Sequence, residues 1–185
     1  GKARQRAEWM GLDHVNFKEL DLRRLEKHQA LERKFDVIVC TETIEHILDD
    51  LKLMRDLNKF LNGGGRLLLT APYYYYIAVT PEEMGPVSVE ETGGHVRRGY
   101  TPEMLKELCR KSGYLVEEIS FCTGFLSYML TRALRYLSTV HYGAGWLVIL
   151  PFRILPPFVD PLISRLTSWP PYSITLVAYK PRFSE

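Results

Sequence analysis

Ala3, Ala7 and Met10 recur at helical spacing, and Gly11 stands where a helix-ending glycine belongs, so the chain starts inside a helix. HVNFKEL then alternates Val15, Phe17 and Leu20, which predicts a short strand ending at Asp21. FDVIVC, residues 35–40, is a continuous β-branched run of the kind found in a central parallel strand covered on both faces. From Ile44 the positions Ile47, Leu48, Leu51, Met54, Leu57 and Leu61 trace one helical stripe, which predicts a helix stopped by Gly63, Gly64 and Gly65. RLLLTAP follows as a buried strand. Thr101 is placed to cap a helix, with Pro102 in its first position, Glu103 in its first turn and Gly113 past its end. YLVEEISF, 114–121, and SITLVAY, 173–179, read as strands. Helices alternating with apolar strands predict a doubly wound α/β sheet.

Before the last strand the pattern changes. Residues 124–172 form a long apolar segment whose longest stretch without Lys, Arg, Asp or Glu runs from Tyr136 to Phe152 and contains Gly143, Gly145 and Pro151. That is shorter than the ~20 apolar residues a spanning helix needs, so a crossing is not expected. The alternatives are a helical lid over the site, a buried insertion, or an interfacial surface in which Arg132, Arg135, Arg153 and Arg165 stand among Leu, Trp and Phe. Charge marks the same division. Residues 1–118 hold 18 Lys/Arg and 20 Asp/Glu, whereas 119–184 hold six basic residues and only Asp160 as an acid. A net basic, apolar portion is compatible with an anionic surface or substrate.

The composition, 46% hydrophobic and 25% charged over 185 residues, fits one domain across 1–185 with 124–172 as its insertion. Cys40, Cys109 and Cys122 lie in strand or helix contexts without a CxxC pair, which argues for a reducing, cytoplasmic setting. The chain opens on Gly1 and a charged helical pattern without a signal-peptide core, and reads as the middle of something longer.

In an open parallel sheet, ligands bind outside the carboxyl ends of the strands. Those ends carry Asp21, Cys40 to Glu42, and Ala71 to Tyr73. Asp21 can accept a hydrogen bond from an adenine amino group, or cap a turn. In CTETIEHI, the i, i+3, i+4 spacing of Glu42, Glu45 and His46 puts two carboxylates and an imidazole on one helical face. That set suits Mg²⁺ or Mn²⁺, with His95 from the polar GGHVRRGYTPE loop as a further ligand. The alternative is that both glutamates face solvent or cap the helix while His46 packs structurally.

FDVIVCTETIEHI, LNKFLNGGGRLLLTAPY and GYTPEMLKELCRKSGYLVEEI, in this order, resemble the fourth-, fifth- and sixth-strand regions of class I S-adenosylmethionine-dependent methyltransferases, especially the type 11/12 group. The resemblance covers 1–122 and 173–182. It implies a Rossmann-like sheet with SITLVAY inserted antiparallel beside the fifth-strand equivalent. It also implies that Asp21 and Leu22 border the adenine, and that Cys40 and Thr41 border the methionine side of the cofactor. The ExxEH spacing is similar to that of the metal-assisted ubiquinone-pathway O-methyltransferases and small-RNA 3′-terminal 2′-O-methyltransferases, where a later histidine, here His95, completes the site. Unlike the RNA branch, this sequence has no lysine-rich or aromatic single-strand platform, so nucleic acid is not expected.

The family's glycine-rich turn after the first strand, and the acid closing its second, have no counterpart here. The sheet is therefore expected to be incomplete at its amino end, with an exposed edge and apolar face, and this chain to bind S-adenosylmethionine poorly. The expected activity is methyl transfer to a small or lipid-like acceptor, at oxygen. His95 or His46 would be the base, and Tyr73 to Tyr76 with 124–170 would shape the acceptor pocket. The rivals are a Rossmann-type oxidoreductase and a non-catalytic methyltransferase-fold platform for a membrane or partner.

Overall fold

A computed structural model of the chain describes residues 1–27, 34–79 and 85–182. Among these residues four strands form one sheet in the order β1-β2-β4-β3: β1 (Phe35–Thr41), β2 (Leu61–Pro72), β3 (Leu115–Cys122) and β4 (Ser173–Tyr179). β1 and β2 run parallel, while β4 lies antiparallel to both β2 and β3. The carboxyl ends of β1, β2 and β3 therefore share one rim. The last strand sits where the family resemblance implies, antiparallel beside β2, and the architecture is an incomplete Rossmann-like sheet.

Helix α1 (Lys2–Trp9) buries only Ala7 and ends before Gly11, whose φ of +66° continues the turn as expected. Helices α2 (Asp50–Phe60) and α3 (Pro102–Ser112) carry the core. Leu53 and Met54 on α2, and Leu105, Leu108 and Cys109 on α3, form one cluster with Leu67, Leu69 and Ala71 of β2 and Ile174, Leu176 and Ala178 of β4. Both helices are capped by their sequence. Asp49 accepts from the Lys52 amide at 2.9 Å, and Thr101 from the Met104 amide at 3.3 Å. Gly113 adopts the left-handed conformation predicted for it.

Four expectations are corrected. Residues 15–21 form no strand; Leu20 and Leu22 instead pack beside the core, and Leu22–Lys27 is a short 3-10 segment against α2. Among the described residues β1 is an edge strand, not a central one, and turns only Ile38 and Cys40 inward, leaving Val37 and Val39 at 52% and 65% exposure. The β-branched run reflects strand propensity, and one face of β1, expected to be covered, is bare. The stripe from Ile44 is not one helix: Ile44–His46 is a 3-10 turn, and α2 starts only at the Asp49 cap. The three glycines do not end that helix but lie inside β2, which begins at the fully buried Leu61.

The 124–172 segment is helical, with α4 (Phe125–Val140), α5 (Tyr142–Ile149), a 3-10 turn over Leu150–Ile154, and α6 (Pro156–Thr167). Its two ends meet, because the Tyr172 amide donates to the Thr123 carbonyl at 2.8 Å. Asp160 on α6 is buried and caps the first turn of α4, accepting from the amides of Gly124, Leu126 and Ser127 at 3.0, 2.6 and 3.1 Å. Among the described residues no single helix is long and apolar enough to cross a membrane. One pair, Gly145–Ile154 with Pro156–Thr167, has the length and composition together, but is bent by 73°.

Candidate functional site

At the carboxyl end of β1 the backbone turns sharply. Glu42 takes φ +45° while its amide donates to the Thr70 carbonyl of β2 at 3.0 Å. The turn swings the Ile44–His46 segment over the sheet rim, burying Ile44 and Glu45. Glu45, His46 and His95 converge, with one ligand atom from each within 4.8 Å of the others. Glu42 stands exposed outside this group, because the left-handed turn and the 3-10 geometry do not give it the helical spacing that would align it.

The loop carrying His95 is fixed by main-chain bonds. The Val96 amide donates to the Glu45 carbonyl at 2.9 Å, and the Ser88 amide to the His95 carbonyl at 2.8 Å. His46 Nδ1 lies 3.0 Å from the Gly94 carbonyl oxygen. A carbonyl only accepts, so Nδ1 carries the proton and Nε2 of the neutral ring keeps a lone pair, 3.6 Å from Glu45 Oε1. The His46 and His95 rings stand edge to face at 4.8 Å. Glu45 Oε2 is buried without a hydrogen-bond partner. Burial raises the Glu45 carboxyl above its ordinary value, and the charge on Glu42 adds to the rise.

Beneath this group lies a polar network that the sequence reading missed. Tyr100, 1% exposed, donates from its hydroxyl to Asp50 Oδ2 at 2.9 Å. Arg97 donates to the same carboxylate, and to the Ile47 and Leu48 carbonyls at 2.6 and 2.8 Å. Burial and the neighbouring Asp50 charge push the Tyr100 phenol well above its ordinary value. The Arg-Arg pair in HVRRGY and the Asp-Asp pair at the start of α2 were the available signals; neither has a spacing that identifies it.

Gly99 ties this network to the sheet. Its φ is +148°, and a Cβ there would lie 2.3 Å from the Pro72 carbonyl oxygen, which also accepts the Tyr100 amide at 2.9 Å. Only glycine fits so close an approach.

The predicted cofactor positions are placed as follows. Asp21 has both carboxylate oxygens engaged by Arg23, whose Nε and Nη2 donate at 2.8 Å each, and this pairing holds its carboxyl down at about 2. Leu22 is half buried beside the core. Cys40 points into the core, and burial raises its thiol to about 11. Thr41 is exposed on the opposite face. Of the four, then, Asp21 and Cys40 have side chains already committed within the protein.

On the same rim, at the β3 end, a cavity of about 670 Å³ opens between Cys122 and helices α4 and α6, lined by Leu130, Arg153, Pro157, Pro161 and Trp169. Tyr73 links the two halves of the rim, packing its ring on Phe121 at 5.0 Å. Tyr76 is buried against Tyr172, whereas Tyr74 and Tyr75 are exposed.

A family model described as a methyltransferase domain matches residues 3–119. No curated protein matches the sequence. Among solved structures, the chain is similar to the [4+2]-cyclase SpnF, with a TM-score of 0.58 and 19% identity over 97% of this chain and 62% of that one. It is similar also to a putative sarcosine dimethylglycine methyltransferase from Galdieria sulphuraria, with a TM-score of 0.59 and 12% identity over 98% and 65%. An S-adenosylmethionine-dependent methyltransferase from Mesorhizobium loti gives a TM-score of 0.55 and 17% identity over 97% and 76%. At such identities the likeness is one of fold, and the chain spans less than two thirds of the first two.

Proposed function

Because the chain belongs to the methyltransferase-domain family, whose model matches residues 3–119, we propose that its parent protein transfers a methyl group from S-adenosylmethionine to a small or lipid-like acceptor at oxygen. The observation that carries the acceptor side of this reading is the convergence of Glu45, His46 and His95 at the strand rim where such sheets bind ligands. S-adenosylmethionine supplies an electrophilic methyl carbon on a sulfonium. The acceptor oxygen attacks in line, the carbon–sulfur bond breaks with its pair going to sulfur, and the hydroxyl proton leaves to a base.

In this reading His46 takes that last role. The Gly94 carbonyl fixes its tautomer, so Nε2 is the atom that takes the proton, with His95 packed against the ring as the alternative. In the metal-assisted alternative the same three residues hold a divalent cation, two imidazoles favouring Mn²⁺ over Mg²⁺, and His46 Nε2 is then a ligand and not the base. The donor set is one carboxylate and two imidazoles, Glu45 Oε2 is buried and unpartnered, and His46 donates its other ring N–H to a carbonyl, as metal-bound histidines do. Such a cation would lower the pKa of the acceptor hydroxyl. Leu22 and the main chain at Thr41 are the cofactor-facing positions in this reading, while Asp21 would contact adenine only by sharing its carboxylate with Arg23. The 124–172 segment and Tyr73 shape the acceptor side, and membrane contact through that segment belongs to the same reading.

A second reading, a non-catalytic platform on this fold, is favoured by the engagement of Asp21 by Arg23. Calorimetry tests the metal site, and methyl-donor binding and transfer separate the two readings. Mn²⁺ is expected to bind, and Glu45→Ala to weaken it about tenfold or more; equal binding by the variant sinks the metal site. Radiolabelled methyl transfer by the parent protein is expected to fall about a hundredfold in the His46→Ala, His95→Ala double variant. Absence of any methyl-donor binding by the parent protein would establish the platform instead.

A further inference from the structure

Helix α6 is built the wrong way round for a helix that faces water. Its outward positions Phe158, Leu162 and Leu166 are 77%, 60% and 76% exposed, whereas its inward side holds Asp160 and the buried hydroxyl of Ser164. A surface helix of a soluble domain shows the reverse pattern. The exposed apolar surface continues through Leu155 and Ile154 to Leu150, Val148 and Leu147 of the preceding turn and α5. This is one contiguous stretch of chain, too large for scattered surface hydrophobics.

We propose that α5, the Leu150–Ile154 turn and α6 dock in the interface of an anionic lipid bilayer. Charge points to the occupant. Arg132, Arg135, Arg153 and Arg165 are exposed, and the only acid between Phe121 and Ser173 is Asp160, which is buried as the cap of α4. No exposed carboxylate in the segment opposes approach to lipid phosphates, and each arginine near such a surface strengthens binding. Arg153 lies over the Trp146 ring at 5.5 Å, a cation and an aromatic of the kind that settle at head-group level. Asp160 and its bonds to α4 also fix the mode. A helix crossing the bilayer is apolar all round, whereas α6 has a polar face held against the rest of the domain and is bent 73° from its partner. The pair lies in the interface.

The inference rests on the membrane-contact part of the reading above, but not on methyl transfer. Flotation of the full chain with vesicles of phosphatidylcholine alone, and with phosphatidylglycerol added, tests it without any methyl donor. Binding is expected to favour the anionic vesicles about tenfold or more and to fall in about 0.5 M salt. Phe158→Ser, Leu162→Ser and Leu166→Ser together are expected to lower it about tenfold or more without changing the circular-dichroism spectrum, since all three side chains are exposed. Arg153→Gln with Arg165→Gln is expected to remove most of the anionic preference. Equal binding by the triple-serine variant overturns the proposal. So does the absence of flotation, including the case in which sedimentation shows a stable dimer that the same variant dissociates. Flotation without methyl transfer by the parent protein would leave this surface in place and remove the catalytic reading.

Discussion

The Asp160 carboxylate and the Ser127 side chain on α4 meet across 33 residues of sequence, with the Ser127 hydroxyl and amide both donating to Oδ2. α4 therefore starts without a cap of its own, at Gly124, and borrows one from α6. The single acid of this net basic segment is the one that holds its helices together. Asp160→Ala is expected to leave three amides of the first turn without acceptors and to destabilise the protein by about 1–3 kcal/mol. Chemical denaturation checks this, and a change within about 0.3 kcal/mol would show that water replaces the cap.

Gly99→Ala is a sharper test of the site's support. The added methyl would collide with the Pro72 carbonyl, so Tyr100 and the loop bearing His95 must shift from the end of β2. The expected cost is about 1–3 kcal/mol or more, accompanied by loss of Mn²⁺ binding. A variant that is less stable but keeps full Mn²⁺ affinity would mean that the loop does not depend on this contact.

Asp56 gives a pH dependence with a definite sign. Burial opposes its ionisation, yet hydrogen bonds from Lys52 at 2.6 Å and Lys59 at 2.8 Å outweigh burial and hold its carboxyl below 3.8. A carboxyl depressed in the folded state contributes stability that is present above its ordinary value and is lost as pH falls through the folded one. Asp56→Asn is therefore expected to be destabilising by about 1–3 kcal/mol near neutrality, with the gap to the parent closing as pH drops below 3.8. Thermal melts at both ends of that range measure it; a gap independent of pH would mean that the lost contribution is one of shape.

Thiol chemistry tests the placement of the strands. Cys122 is exposed, whereas Cys40 and Cys109 are buried, with thiols raised to about 11 and about 12. A disulfide reagent at pH near 8 is expected to modify Cys122 at once and the other two only on unfolding. Rapid modification of Cys40 would show that β1 opens readily, as an edge strand with one bare face is liable to do.

The outcome at individual residues shows what kinds of information the sequence carries. Thr101, Pro102 and Gly113 mark α3 correctly because capping is local chemistry, decided within four residues. SITLVAY is a strand by composition, and its antiparallel place between β2 and β3 follows from the family resemblance. Val15, Phe17 and Leu20 mislead because three apolar positions in seven fit any extended segment, and no neighbouring strand pairs with them among the described residues. The Ile44 stripe misleads for a different reason. Asp49 offers a better cap than the turn before it, so the apolar period runs through a break that periodicity does not register. The candidate site was legible as far as residue type: Glu45, His46 and His95 are together. Glu42 is apart because one positive φ, invisible in the spacing, separates it. Arg97, Asp50 and Tyr100 were missed because a network joined across about fifty positions has no local pattern.

The hydrogen bond between Tyr172 and Thr123 brings the entry and exit of the helical segment side by side, between strands that pair with each other. A segment whose entry and exit sit side by side can be lengthened, shortened or exchanged without shifting the register of the sheet beneath it. Evolution can therefore rewrite what this segment meets while leaving the rim at Glu45, His46 and His95 untouched. The fold separates the part free to diversify from the part that must stay put.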